Sequence, residues 1–266
     1  MKKEYDMLYV NGCSFTVGHH LKDRFTWPTL LQNKLDIPMI NDAKNANSMK
    51  TILDVTVSRI LGNTNKNILC VIGLTWPGRF SIKYDNVFLN VTPENIINES
   101  NKIEWIVKLF SQRYVTNLKN EIELPYHKYQ YNQISMKREL AIKDPFFKSI
   151  QEIFMNYGKY LKSLIKYDKE FNRNQLMAYW RQIMLLDNFL YRNKIDYCFV
   201  SFHHRNVWPG HEKYRDFIDF SKIVDCSGVE INPKTGHPSI MACKEISNEI
   251  LHFFFENKYI SNYLIS

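Results

Sequence analysis

A chain of 266 residues, 45% hydrophobic and 23% charged, has the length and balance of one large α/β domain or two small ones, which sets aside disordered and fibrous classes. Its formal net charge of +8 favours anionic partners, nucleic acid included, yet no basic run is dense enough to form an arm or tail. Five widely spaced cysteines without a CxxC pair argue against a zinc ribbon or a disulfide framework and for free buried thiols.

Met7 to Asn11 is an apolar run with the pattern of a buried first strand. Trp27 to Leu35 has helical spacing at Trp27, Leu30, Leu31 and Leu35, and Pro28 suits its first turn. Ile37 to Ile40 reads as a short second strand. Ser48 to Leu61 reads as a helix with Ser48 as its cap. Ile68 to Gly73 is a strong buried strand, closed by Trp76-Pro77-Gly78. This β-α-β-α-β alternation predicts a parallel sheet with helices on its faces.

The pattern changes over 93–172, which is charged and aromatic. Helical stretches are expected near Ile103 to Leu118 and Phe146 to Ile165, with an irregular Pro125 to Tyr129 segment between them. No Gly/Ser-rich or Pro-rich linker bounds this region, so it is expected to be a helical insertion or cap within a single α/β domain spanning 1–266. Alternation then resumes. Gln175 to Arg192 reads as a helix, Tyr197 to Phe202 as a strand and Lys222 to Cys226 as a short last strand. Ser239 to Glu256 is the closing helix, with Ile240, Cys243, Ile246, Ile250 and Phe253 on one side. The expected fold class is a three-layer α/β/α sandwich around a central parallel sheet of about five strands.

Two short segments carry chemistry. Asn11-Gly12-Cys13-Ser14-Phe15-Thr16-Val17-Gly18 follows the first strand directly, and in open α/β sheets sites form outside the carboxyl ends of strands. Gly236-His237-Pro238-Ser239 immediately precedes the last helix. A serine hydroxyl is a weak nucleophile until a base takes its proton, so Ser14 and His237 are the two halves of an acyl-transfer site if the fold brings them together.

At these residues the chain resembles the SGNH/GDSL hydrolases. Gly12-Cys13-Ser14-Phe15-Thr16 with Gly18 looks like the first block in the GCSFT-x-G form of phage-encoded members, and Thr26-Trp27-Pro28-Thr29-Leu30-Leu31 is typical of that subgroup. Asn41-Asp42-Ala43 with Ala46 and Ser48 looks like a worn second block. Val71-Ile72-Gly73-Leu74-Thr75 followed by Arg79 resembles the third, and Gly236-His237-Pro238-Ser239 the fifth. The resemblance implies a flavodoxin-like SGNH fold with Ser14 as nucleophile and His237 as base. It implies an oxyanion hole from the Ser14 amide, the Ala46 amide at the family's glycine position, and the Thr75 hydroxyl near the family's asparagine position. Asn45 and Asn47 stand close enough in sequence to contribute. Arg79 is a candidate substrate-binding cation for a carboxylate or phosphate.

The chain departs from the family in the fifth block. The aspartate expected three residues before the histidine is Lys234, which can neither orient nor stabilise an imidazolium. Asn232, Glu230 or Asp225 are candidate substitutes, and a Ser–His dyad oriented by a backbone carbonyl is the other solution.

Other signals are weaker. His203 and His204 follow the Tyr197 strand and are candidate substrate-binding residues. His19-His20 and His211 raise the question of a metal, but no carboxylate-rich set has ligand spacing, so neither metal nor cofactor is expected. The aromatics from Tyr126 to Tyr131 suit stacking on sugars or bases. The expected activity is that of an SGNH-type esterase or acyl-transferase on an O-acyl ester of a polar, sugar-like small molecule or glycan. The alternatives are a catalytically impaired scaffold that binds nucleic acid or another anionic ligand, and a phage structural component. No stretch of about 18 uncharged residues occurs, so no membrane partner is expected. Met1 to Asp6 holds no apolar signal core, and a cytoplasmic location is expected.

Overall fold

The structure, a computed structural model, describes residues 5–18, 20–84, 87–106, 145–167, 171–202 and 217–255. The chain divides into two compact units: Met1–Pro77 with Leu176–Ser266, and Gly78–Gln175.

The first unit is built on a five-stranded sheet. Its strands are β1 (Met7–Asn11), β2 (Met39–Asn41), β3 (Ile68–Gly73), β6 (Asp196–Ser201) and β7 (Ile223–Asp225). They lie in the order β2-β1-β3-β6-β7, every neighbouring pair parallel. Taken by position within the sheet, this is the doubly wound, flavodoxin-like order 2-1-3-4-5. All residues of β1 and β3 are buried, which is why both read as unbroken apolar runs rather than as alternating ones.

Alternate strand residues feed two cores, which makes three layers. On one face Leu8, Val10, Leu69 and Val71 pack with Trp27 and Leu31 of α2 (Trp27–Leu35) and with Ile246 and Ile250 of α7 (Ile240–Phe255). On the other, Tyr9, Cys70 and Ile72 pack with Ile52 and Ile60 of α3 (Met49–Leu61) and with Ile183 and Leu186 of α6 (Phe171–Arg192). Burying each aliphatic side chain stabilises the fold by about 2 kcal/mol before entropy is counted. The Ser48 hydroxyl caps α3 by accepting from Thr51 N–H at 3.2 Å. All five cysteines are free and buried. Burial pushes the Cys226 thiol up to about 12 and that of Cys243 to about 11, which keeps both inert.

The second unit opens with an antiparallel hairpin, β4 (Phe80–Tyr84) with β5 (Val87–Val91), which the sequence reading did not anticipate. Next comes α4 (Pro93–Glu99), capped by Thr92. Against it packs α5 (Pro145–Tyr167), which buries Phe147, Ile150, Phe154 and Leu161 at helical spacing. Gly158 allows the close approach, because a Cβ there would stand 3.1 Å from the Ile96 carbonyl oxygen. The Pro125–Tyr129 and Tyr126–Tyr131 segments, and the part of the expected Ile103–Leu118 helix beyond 106, lie outside the described residues. No helix among the described residues is long and apolar enough to cross a membrane.

Candidate active site

Ser14 opens a four-residue helix, α1 (Ser14–Val17), directly beyond the carboxyl end of β1. The turn into it is held from below. Asn11 accepts from Gly12 N–H at 2.8 Å through its side-chain oxygen, and its amide nitrogen donates to the Tyr9 hydroxyl and Thr56 Oγ1, each at 3.1 Å. All of these groups are buried, so the strand end is fastened to α3. Burial, reinforced by the Asp42 carboxylate, pushes the Tyr9 phenol well up, and it stays protonated.

Two glycines let α1 sit down on the sheet. A Cβ on Gly12 or on Gly73 would come within 2.1 Å of Thr16 Oγ1. Thr16 is fully buried between the ends of β1 and β3, and its hydroxyl has no hydrogen-bond partner among the described residues. Gly18 closes the helix in the left-handed region at φ 70°, its N–H donating to the Ser14 carbonyl oxygen at 3.1 Å. At the other end the Ser14 N–H, in the first turn, makes no hydrogen bond with a described residue.

The loop after β2 is fastened to this turn. Lys44 N–H donates to the Gly12 carbonyl oxygen at 3.2 Å, and Asn47 Nδ2 donates to the same oxygen at 2.9 Å. Asn47 N–H closes a four-residue turn on the Lys44 carbonyl at 3.2 Å. Within that turn Ala46 has φ 61°, the left-handed conformation that favours glycine. The turn therefore holds an alanine in a backbone shape that usually calls for glycine. The Ala46 N–H, like that of Ser14, has no hydrogen-bond partner among the described residues.

Thr75 does not fit the role expected of its hydroxyl. Thr75 is fully buried, and Oγ1 donates its one proton to the Asn47 carbonyl oxygen at 2.7 Å. The Thr75 side chain braces the 44–47 turn and is not an oxyanion donor in this arrangement.

His237 reaches the same edge from the far end of the chain. Strand β8 (Ile231–Asn232) pairs antiparallel with β9 (His237–Pro238), and the connecting turn is closed by Gly236 N–H on the Asn232 carbonyl at 2.8 Å, with Gly236 at φ 65°. Strand β9 packs against α1, and the Phe15 and His237 ring centroids are 5.1 Å apart. His237 Nδ1 lies 2.6 Å from the Thr235 carbonyl oxygen. A carbonyl only accepts, so Nδ1 carries the proton and Nε2 is left as the basic nitrogen.

The three side chains considered as substitutes for the missing aspartate are engaged elsewhere. Asn232 Oδ1 accepts from Lys234 N–H, the Glu230 carboxylate accepts from the Ser239 hydroxyl, and Asp225 Oδ1 accepts from Ser227 N–H. Lys234 itself is exposed.

Phe15 and His20 flank the imidazole. Phe15 lies 5.1 Å from Phe202 at the end of β6, and the His20 ring meets His237 edge-on at 6.2 Å. The place of Phe15 beside His237 was not read from the sequence, although its position next to Ser14 was a usable signal. Arg79 is half-buried and belongs to the second unit. His203 and His204, like His19 and His211, lie outside the described residues. No group of three metal-ligating side chains occurs among the described residues.

No family model matches the chain, and no curated protein does. Solved structures are similar to it at low identity. The psychrotrophic esterase EstA from a Pseudoalteromonas species, inhibited by monoethylphosphonate, is 10% identical, with a TM-score of 0.45 over 98% of this chain and 100% of that one. A member of the lipolytic G-D-S-L family from Veillonella parvula is 7% identical, with a TM-score of 0.43 over 93% of this chain and 97% of that one. At such distances what this chain does is argued from its own residues.

Proposed function

We propose that this protein is an SGNH-type serine hydrolase or acyl-transferase that works with a Ser14–His237 dyad. The observation that carries the reading is the contact of α1 with β9, which sets the imidazole, its Nδ1 proton on the Thr235 carbonyl, beside the nucleophile's helix. Nε2 takes the Ser14 hydroxyl proton as Oγ bonds to the carbonyl carbon of an ester. The N–H groups of Ser14 and Ala46 steady the oxyanion, and collapse expels the alkoxide, which takes the proton back from Nε2. Water or a second alcohol then repeats the sequence on the acyl-enzyme, with His237 again as base. An O-acyl ester on a polar, sugar-like carrier suits the +8 chain if that carrier is anionic. A phage-encoded protein working in the cytoplasm of an infected cell is the setting that the Gly12–Gly18 motif suggests.

Labelling of the full chain with a fluorophosphonate, read by mass spectrometry, tests this. A single adduct on Ser14, absent in Ser14→Ala and in His237→Ala, is expected.

A second reading has its own observation. A backbone carbonyl, not a carboxylate, meets His237 Nδ1, and losing the acid of a triad costs about 10⁴ in turnover. On that reading the scaffold binds an anionic ligand without cleaving it. No adduct on Ser14, together with salt-dependent binding of single-stranded DNA, would select it over the first.

A further inference from the structure

We infer that Asn47 is the positioning residue of the oxyanion hole, an inference that rests on the hydrolase reading above. Asn47 is almost fully buried, and it joins three segments with three hydrogen bonds. Its side-chain Nδ2 donates to the Gly12 carbonyl oxygen, two residues before the nucleophile, at 2.9 Å. Its own carbonyl accepts from Thr75 Oγ1, beyond the end of β3, at 2.7 Å. Its N–H closes the turn on Lys44 at 3.2 Å.

The residue held inside this clamp is Ala46, which is in the left-handed region without being glycine. An alanine adopts that conformation only where the surroundings over-determine it. The clamp supplies the determination: it fixes the turn to the ends of two core strands and so sets the direction of the Ala46 N–H relative to the Ser14 N–H. Thr75 acts through Asn47 and not on the substrate. A hole made of two backbone amides depends wholly on backbone placement, and a displacement of about 1 Å in such a site costs on the order of 10²-fold in rate.

The test uses the full chain, with p-nitrophenyl acetate hydrolysis and the rate of fluorophosphonate labelling as readouts. Asn47→Ala removes the donor to Gly12, and Thr75→Val removes the donor to the Asn47 carbonyl at nearly the same shape. Each is expected to lower kcat by about 10²-fold with KM unchanged and to slow labelling in proportion. Thr75→Ser, which keeps the hydroxyl, is expected to recover most of the rate lost in Thr75→Val. The double variant should lose little more than either single one, because both act on one turn. Should Asn47→Ala fail to fold, Thr75→Val and Thr75→Ser decide alone. A change in KM with kcat kept, or equal loss in Thr75→Val and Thr75→Ser, would overturn the inference while a labelled Ser14 leaves the hydrolase reading intact. A Ser14 that resists labelling in the unmodified protein would overturn both.

Discussion

The carbonyl oxygen of Thr235 stands 2.6 Å from Nδ1 of His237, inside the same hairpin turn. A carboxylate in that place would carry a full negative charge against the imidazolium that the proposed reaction forms. A carbonyl dipole fixes the tautomer but stabilises that charge far less. Lys234, three residues before His237, is exposed, and its backbone N–H is held by the Asn232 side chain.

Lys234→Asp therefore tests whether the missing acid can be restored by sequence alone. Nδ1 is already taken by Thr235, and freeing it requires the hairpin to reopen. The expected gain in p-nitrophenyl acetate turnover is below about tenfold, well short of the roughly 10⁴ that a triad acid contributes. A gain near 10³-fold would show that the turn yields readily and that the dyad arrangement is not enforced.

Ala46 offers a second test. Its φ of 61° costs an alanine about 1–2 kcal/mol that a glycine escapes, part of which is offset by the greater freedom of glycine in the unfolded chain. Ala46→Gly is expected to stabilise the first unit by about 0.5–1 kcal/mol, a rise of roughly 1–4 °C in Tm. Ser14 labelling should persist, because the amide is kept. A fall in Tm would mean that the left-handed turn is not the conformation in solution.

Much of the frame is legible in the residues themselves. Met7–Asn11 and Ile68–Gly73 are recognised to the residue because buried parallel strands are apolar throughout. Ser48 is recognised as a cap because a hydroxyl before an apolar-periodic run has few other uses. The short edge strand is displaced, expected over 37–40 and found at Met39–Asn41, because its residues are only partly buried and its apolar pattern is weak. The hairpin of Phe80–Tyr84 and Val87–Val91 had a signal, two β-prone runs separated by two residues, in a stretch to which the sequence analysis assigns no element.

The site is legible in its residue types and not in its hydrogen bonds. Ser14 and His237 are candidates by residue type and by their places after a strand and before a helix. The commitment of the Thr75 hydroxyl to Asn47 is a contact across 28 positions, and nothing local in sequence encodes it. The left-handed turn at Ala46 is likewise hidden, since the usual marker of that conformation is glycine.

The seat of α1 predicts a suppressor pair. Gly73→Ala places a Cβ 2.1 Å from Thr16 Oγ1, with its other neighbours at 3.5 Å. The substitution alone is expected to cost about 1–3 kcal/mol through overpacking. Thr16→Ala removes the clashing oxygen, and no hydrogen bond with a described residue is lost with it. Combined, the two substitutions should recover most of the loss, a coupling of about 1–2 kcal/mol in a denaturant-unfolding cycle. Additive losses would mean that the glycine is needed for some reason other than the buried threonine of α1.

Asp187 predicts a pH dependence. Its carboxylate is buried on α6, where Oδ1 accepts from the Tyr197 hydroxyl at 2.7 Å and Oδ2 from Asp219 N–H at 3.3 Å. Burial is the largest influence on it and raises its pKa above the ordinary 3.8. The Asp219 carboxylate adds to the rise, and the two hydrogen bonds and Lys222 oppose it. A raised pKa means that the folded state holds this proton more tightly than the unfolded chain does. The group's contribution is then fully present below its ordinary value and lost as pH climbs through the raised one. Relative to Asp187→Asn, which stays neutral throughout, the unmodified protein is expected to gain stability as pH falls from about 7 towards 4. Paired thermal melts of the two proteins across that interval measure the difference. If the unmodified protein instead loses stability relative to Asp187→Asn on acidification, the Tyr197 and Asp219 hydrogen bonds outweigh burial and the carboxylate is the favoured form.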